Sequence, residues 1–362
     1  MTFKFISLGI LAASLFSCQD VPQKSSAVSS DSMLIPAVTT EFVKHDSDDP
    51  AVWINPENPA QSLILGTDKD QDGALFVYNL EGKIIPEKVV SGLKRPNNVD
   101  VEYGLMLGNK KTDFAVVTER LTHKLRFFSL PDLKPIDNGG IEVYEGETAP
   151  DFRDLMGVSV YKNKEGKIYV IAGRKSGPTN GGYLWQYLVE DDGTGHVKAT
   201  LVRKFGNYSG KKEIESIAVD DELGYIYYSD EGVGVRKYYA EPSKGNEELA
   251  LFATKGFTED HEGISIYQLT PSTGYILVSD QGANQFHIFS REGTARNPHE
   301  HSLLKVVKVK ANHSDGSETV SVPLNSTFQK GLFIAMSDNR TFQFYKWEDI
   351  AGKDLKVISP LK

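Results

Sequence analysis

Glu215-Ser216-Ile217-Ala218-Val219, then Asp220-Asp221-Glu222-Leu223-Gly224, then Tyr225-Ile226-Tyr227-Tyr228-Ser229-Asp230-Glu231, is the stretch that decides the fold. A short β-branched run, an acidic turn closed by Gly and a second, nearly continuous apolar run read as a hairpin whose second strand is buried on both faces. Acids stand at both of its ends.

The same register recurs along the chain. Apolar triplets Ala51-Val52-Trp53, Val99-Asp100-Val101, Val158-Ser159-Val160, Ile217-Ala218-Val219, Ile264-Ser265-Ile266 and Val320-Ser321-Val322 are preceded, two positions upstream, by Asp49, Asn97, Met156, Glu215, Glu262 and Glu318. Turn segments such as Asn55–Pro59, Lys162–Gly166 and Thr270–Gly274 follow, and then second strands such as Leu63–Thr67, Ile168–Gly173 and Tyr275–Ser279. More alternating third strands, for example Leu75-Phe76-Val77-Tyr78, and more polar outer ones, for example Leu304–Val309, complete each unit. Repeats of roughly 50 residues, each one supersecondary unit, imply an all-β, six-bladed β-propeller. Either Ala37–Lys44 or Val357-Ile358 can supply the outer strand that closes the last blade.

At 362 residues with 40% apolar side chains the chain can bury a large core, and the repeat makes it one domain, assigned to 36–362. A formal net charge of −9 argues against nucleic acid as a partner. Ahead of the propeller, Lys4 and the apolar run Phe5–Phe16 read as a secretory leader over residues 1–17. Leu15-Phe16-Ser17-Cys18 resembles a bacterial lipoprotein cleavage site, with Cys18 as the lipidation site. That assignment accounts for the single, unpaired cysteine. Residues 18–35 read as a flexible, Ser-rich tether. The implied protein is exported, monomeric and held in the cell envelope by its lipid, at the outer membrane or cell surface rather than the inner membrane.

In an antiparallel hairpin the start of the first strand and the end of the second share one edge. The pairs Asp68-Lys69, Glu119-Arg120, Arg174-Lys175, Asp230-Glu231, Asp280-Gln281 and Asp338-Asn339 therefore join Asp48, Asp49, Asn97, Asn98, Glu215, Glu262 and Glu318 around one mouth of the channel. Lys69, Arg120, Arg174 and Lys175 fall in the first three repeats. Glu215, Glu231, Asp260, Glu262, Glu318 and Asp338 fall in the last three. Crowded carboxylates call for a cation, and oxygen donors without Cys select calcium over zinc. The basic residues fit phosphate, through bidentate Arg and point-charge Lys. His261 reads as structural, and Phe127, Phe128, Tyr227 and Tyr228 as blade packing.

With these residues in view the chain resembles the β-propeller phytases from about Asp46 to Ile350. The resemblance rests on Asp48-Asp49-Pro50-Ala51-Val52-Trp53, on Thr67-Asp68-Lys69 leading to Val77–Gly82, on Asn97-Asn98-Val99-Asp100, on Glu215–Glu222, on Asp260-His261-Glu262-Gly263 and on Trp347-Glu348. It implies a calcium-dependent enzyme that removes phosphate from myo-inositol hexakisphosphate (phytate) by metal-activated water, using several Ca2+ ions. It implies Asp49, Glu215, Glu231, Glu262 and Glu318 as calcium ligands, Asp48 and Asp260 as supporting ligands, and Lys69, Arg120 and Lys175 as phosphate binders. Glu231 would position or deprotonate the water. Three features depart from the family: Met156 where a tyrosine is common, Asp70 where a second lysine is common, and a shorter last blade. A lactonase-type calcium propeller and a non-catalytic lipoprotein that binds a phosphorylated ligand are the alternatives.

Overall fold

The computed structural model describes Met1, the backbone of Val28 and Ser29, and residues 32–359. The expected leader, Cys18 and most of the expected tether lie outside the described residues. What is described forms six sheets, each built on four antiparallel strands, one sheet per repeat as the register predicts, with a fifth, parallel strand added to one of them.

From the channel outward, blade 1 runs Ser47–Trp53, Leu63–Asp68, Gly73–Tyr78 and Val90–Leu93, and blade 2 runs Pro96–Leu107, Lys110–Glu119, Lys124–Leu130 and Ile141–Glu142. Blade 3 is Leu155–Lys162, Ile168–Arg174, Leu184–Asp191 and Val197–Phe205. Blade 4 is Ile217–Asp220, Tyr225–Asp230, Gly234–Tyr239 and Ala250–Phe252. Blade 5 is His261–Gln268, Gly274–Asp280, Gln285–Ser290 and Leu303–Lys308. Blade 6 takes Ser317–Val320, Leu332–Ser337 and Thr341–Lys346 from the end of the chain and Val38–Thr39 from its beginning.

Closure of the ring is thereby decided in favour of Ala37–Lys44. Val38 and Thr39 pair with Phe344 and Gln343, flanked by Ala37 N–H on Phe344 O (2.8 Å) and Thr40 N–H on Phe342 O (3.0 Å). Ile358 instead packs, with the short helix Trp347–Ala351, over the outer side of blades 5 and 6. There the Trp347 indole stacks on Tyr267 at 3.6 Å between centroids. The tether also ends sooner than residue 35. Leu34 N–H donates to Lys308 O (2.9 Å) and Lys310 N–H to Leu34 O (3.0 Å), an extension of blade 5 begun in parallel by Val28–Ser29.

The core is divided among the blade interfaces rather than gathered at one centre. Phe114, Val116, Val170 and Trp185 join blades 2 and 3, and Leu65, Val77, Ala115 and Phe128 join blades 1 and 2. Ile171, Tyr183, Ile226 and Tyr228 join blades 3 and 4. Every residue of second strand Ile168–Arg174 is buried, because it is covered by a sheet on each face.

One irregularity, repeated, builds the mouth. At the start of the inner strands of blades 1, 2, 3 and 5 the pairing skips two residues: Ser47 faces Asp68 and Pro50 faces Gly66, Pro96 faces Glu119 and Val99 faces Val117, Leu155 faces Arg174 and Val158 faces Ala172, His261 faces Asp280 and Ile264 faces Val278. Such a bulge turns side chains off the pleat. Hydroxyls then lock each bulge to the preceding blade: Thr67 Oγ1 donates to Asn97 O (2.5 Å), Thr118 Oγ1 to Met156 O (2.8 Å) and Ser229 Oγ to Glu262 O (2.9 Å). Each contributes about 1 kcal/mol net and fixes the height of one mouth residue. At blade 3 a glycine serves instead, since a Cβ on Gly157 would fall onto the Glu215 carbonyl oxygen.

Candidate active site

The bulges present Asp48, Asn97, Met156 and Glu262, and Glu215 just ahead of the blade 4 inner strand joins them as an inner ring. In blade 6, Ser317 pairs with Ala335, as Pro50 pairs with Gly66 and Ile264 with Val278, so the equivalent position two residues upstream is Asp315. The expected register is therefore one residue late in blade 1 and three late in blade 6. The reason is that the apolar triplets start late, at Ala51 after Pro50 in blade 1 and at Val320 after Ser317-Glu318-Thr319 in blade 6. Asp49 and Glu318 do not join the mouth cluster. Asp49 accepts from Val99 N–H (3.0 Å), and Glu318 accepts from Thr319 N–H (2.6 Å). Both line the channel beneath the mouth with Asp100. Burial first, then Asp100, pushes Glu318 up to about 8.

Alternation along the second strands sorts the expected pairs. The first member of each turns away from the channel. Asp68 accepts from His45 and Asp46 N–H (both 2.8 Å), Asp230 from Ser209 Oγ (2.7 Å) and Arg236 Nε (2.9 Å), and Asp280 from Thr258 N–H (3.0 Å), so these acids cap loops. Arg174 is likewise not a phosphate binder. It is fully buried and donates to the carbonyls of Phe152, Gly182 and Tyr183 (3.0–3.1 Å), and it pairs with Glu147 (3.2 Å) and lies over Tyr144. Asp338 is exposed and accepts from Asn312 Nδ2 (2.7 Å), apart from the other acids of the mouth.

The second members, Lys69, Arg120, Lys175, Glu231 and Gln281, form an outer ring. Lys69 Nζ is ion-paired with Asp48 and lies 3.4 Å from Asp315. Burial opposes its charge, but Asp48, Glu215 and Asp315 together hold its pKa above the usual value, so it is an ammonium. Arg120 donates through Nε to Leu155 O (3.2 Å) and through Nη2 to the Met156 sulfur. Lys175 reaches Glu213 at 3.1 Å, and Gln281 Nε2 donates to Asp315. His261, as expected, is structural: its Nε2 contacts Ala253 O (2.7 Å) and its ring stacks on Phe257.

Glu231 is the hub. Its carboxylate groups with Glu213 and Glu215 on one side and with Asp260 and Glu262 on the other, with one oxygen from each residue of a trio within 4.8 Å of the others. Burial, then Glu213, Glu215 and Asp260, pushes Glu231 up to about 9. Burial and Asp48 push Glu215 up to about 7, and Glu262 lies well above the usual range. Glu231 Oε1, Glu262 Oε2 and Asn97 Oδ1 are buried without a hydrogen-bond partner. Buried oxygens that lack donors and repel one another are the environment a hard divalent cation relieves, so the residues present fit a metal. Gln281 stands just beyond its second strand as expected, whereas the sequence pattern does not single out Glu213, Lys212 or Asp315. Counting back from the strand that begins at Ser317 would have found Asp315; no signal marks the others.

A propeller whose mouth sets paired carboxylate trios against Lys69, Arg120 and Lys175 defines a class, the metal-assisted hydrolases of phosphate esters. The phytase family profile matches residues 4–357, and the chain belongs to that family. It is similar to the 3-phytase of Bacillus subtilis (strain 168), at 28% identity over 323 residues that cover 84% of this chain and 80% of that protein. The protein is thus a phytase-family hydrolase, and the lactonase and non-catalytic alternatives give way.

Proposed function

We propose that the protein is a calcium-dependent phytase in which the Glu231-centred trios hold the cations and Lys69, Arg120 and Lys175 hold the phosphates of the substrate. The observation that carries this reading is that Glu231 belongs to both carboxylate trios. All the donors are oxygens, which favours calcium over softer metals. Bound there, calcium would offset the carboxylate charge and acidify a water at neutral pH. Arg120 presents its fork and Lys69 and Lys175 their ammonium groups to phosphoryl oxygens, where they stabilise charge that grows in the transition state. Glu231, shared by the two trios, is the group suited to accept a proton from the attacking water once bound calcium favours its ionised form.

The test is phosphate release from phytate by the chain beginning at Ser32, in calcium and then in excess chelator. Release in calcium that the chelator abolishes is expected. Release that persists in chelator would remove calcium from the reading. Glu231→Gln is expected to lower kcat at least about 100-fold with the fold intact, and a fully active variant would remove Glu231 from the proton transfer.

We also propose that Cys18 anchors the mature protein to the envelope through lipid, on the support of the leader-like run Phe5–Phe16 ahead of it. Metabolic labelling with radioactive palmitate, lost in Cys18→Ser, is the check.

A further inference from the structure

Each carboxylate trio has one member already held by a lysine. Lys175 takes Glu213 (3.1 Å). Lys212, a residue to which the proposed reaction gives no part, sets its ammonium 2.5 and 2.6 Å from the two oxygens of Asp260. Lys212 comes from the solvent side, since its side chain is 52% exposed and that of Asp260 only 16%. Its backbone is pinned to the rim of the mouth. The Tyr208 hydroxyl donates to Lys212 O, Ser209 N–H and Oγ donate to Asp230 (3.0 and 2.7 Å), and Glu231 N–H donates to Glu213 O (3.3 Å). What can move is the side chain.

A cation held by Glu231, Asp260 and Glu262 cannot share Asp260 with an ammonium group, because two positive charges that close repel strongly in a partly buried site. We infer that Lys212 is a further phosphate-binding residue of this site: it clamps Asp260 when the cation is absent and is released toward the substrate when the cation binds. The inference rests on the proposed calcium-dependent reaction. It adds a fourth positive side chain to Lys69, Arg120 and Lys175, one that comes from the loop beside Asp260, for a substrate bearing several phosphates. It also couples the two ligands. A phosphate that engages Lys212 keeps it off Asp260 and so tightens calcium, and by reciprocity calcium tightens phosphate.

The experiment uses the chain from Ser32 as wild type, Lys212→Met and Lys212→Arg. Calcium affinity is measured by calorimetry without any anion, and the affinity for myo-inositol hexasulfate, which phosphatases do not hydrolyse, is measured at saturating calcium. Without the anion, Lys212→Met is expected to bind calcium about 2- to 5-fold more tightly, since the competing partly exposed ion pair is gone. It is expected to bind the hexasulfate about 10-fold more weakly, by the loss of one charge-assisted contact, with Lys212→Arg recovering most of the difference. Hexasulfate affinity within twofold of wild type in Lys212→Met overturns the inference. A weakened hexasulfate with unchanged calcium affinity keeps the contact and overturns the clamp. If wild type does not bind the hexasulfate in calcium while Glu231 variants still bind calcium, the proposed reaction fails and takes this inference with it. Should wild type bind it and Lys212→Met bind it equally well, the reaction stands and the inference alone falls.

Discussion

Neighbouring residues with the same charge do opposite work here. Arg174 and Lys175 are adjacent, yet Arg174 is locked among carbonyls and aromatic faces while Lys175 reaches the mouth. The period of two in a strand divides them. Arg174→Met is therefore expected to cost about 3–5 kcal/mol of stability, because it leaves Glu147 and several carbonyls without a donor, and to leave the KM of the folded enzyme unchanged. Arg120→Ala is expected to cost less stability and to raise KM about tenfold. Thermal melts together with steady-state kinetics separate the two, and an Arg174→Met variant with a raised KM and an undisturbed melting temperature would contradict the assignment. Charge type was legible in the sequence at these positions, but side-chain direction was not, because it depends on where each second strand ends relative to its bulge.

At the scale of the element, the inner strand decided how far reading could go. In blades 2 to 5 its regular pairing runs on from an apolar residue, Val99, Val158, Ile217 or Ile264, and the mouth residue two places upstream is found directly. In blade 1 the triplet begins only at Ala51, after Pro50, and in blade 6 only at Val320, after Ser317, so the register pointed to Asp49 as well as Asp48 and to Glu318 in place of Asp315. Glu213 and Lys212 were illegible for a different reason. They sit on the loop before blade 4, whose course is set by Ser209 on Asp230 and by Tyr208, contacts with no periodicity. The strand Val38–Thr39 is short, but it completes blade 6. A chain beginning at Ser32 should keep the melting temperature of the longest stable form, whereas one beginning at His45 loses Val38, Thr39 and the Thr40 hydroxyl that accepts from Phe342 N–H (2.9 Å). The shorter chain should melt at least about 10 °C lower. Equal melting curves would mean that closure does not depend on this strand.

Over the whole molecule, the carboxyls of the mouth and of the channel beneath it tie stability to pH. Glu215 and Glu231 have folded pKa values near 7 and 9 against 4.5 unfolded, and Glu318 one near 8, so above pH 4.5 the folded chain binds more protons than the unfolded chain. Without a divalent cation, stability is fully present below about pH 4.5 as far as these groups are concerned, and it declines as pH rises through their folded values. Lys237, held down to about 7 by burial, works in the opposite sense above pH 7 but is one group against several. In chelator, the melting temperature should therefore fall between about pH 6.5 and 8.5. Calcium should raise it most at the alkaline end, where protons no longer compete for the carboxylates. A chelated protein whose melting temperature climbs over that range would rule out the mouth as the source of the dependence.

The pairing of Val38 with Phe344 also makes the propeller a loop with a seam. The strand Val38–Thr39 cannot find its partner until the last hairpin exists, so the slowest entropic step is the meeting of segments about 300 residues apart in sequence. Once closed, every blade has two neighbours and none is terminal. Where the polypeptide is cut then matters less than that six blades are present, and new termini placed in an exposed turn such as Lys164–Gly166, with the old ones joined by a linker, should yield the same ring from a rearranged gene.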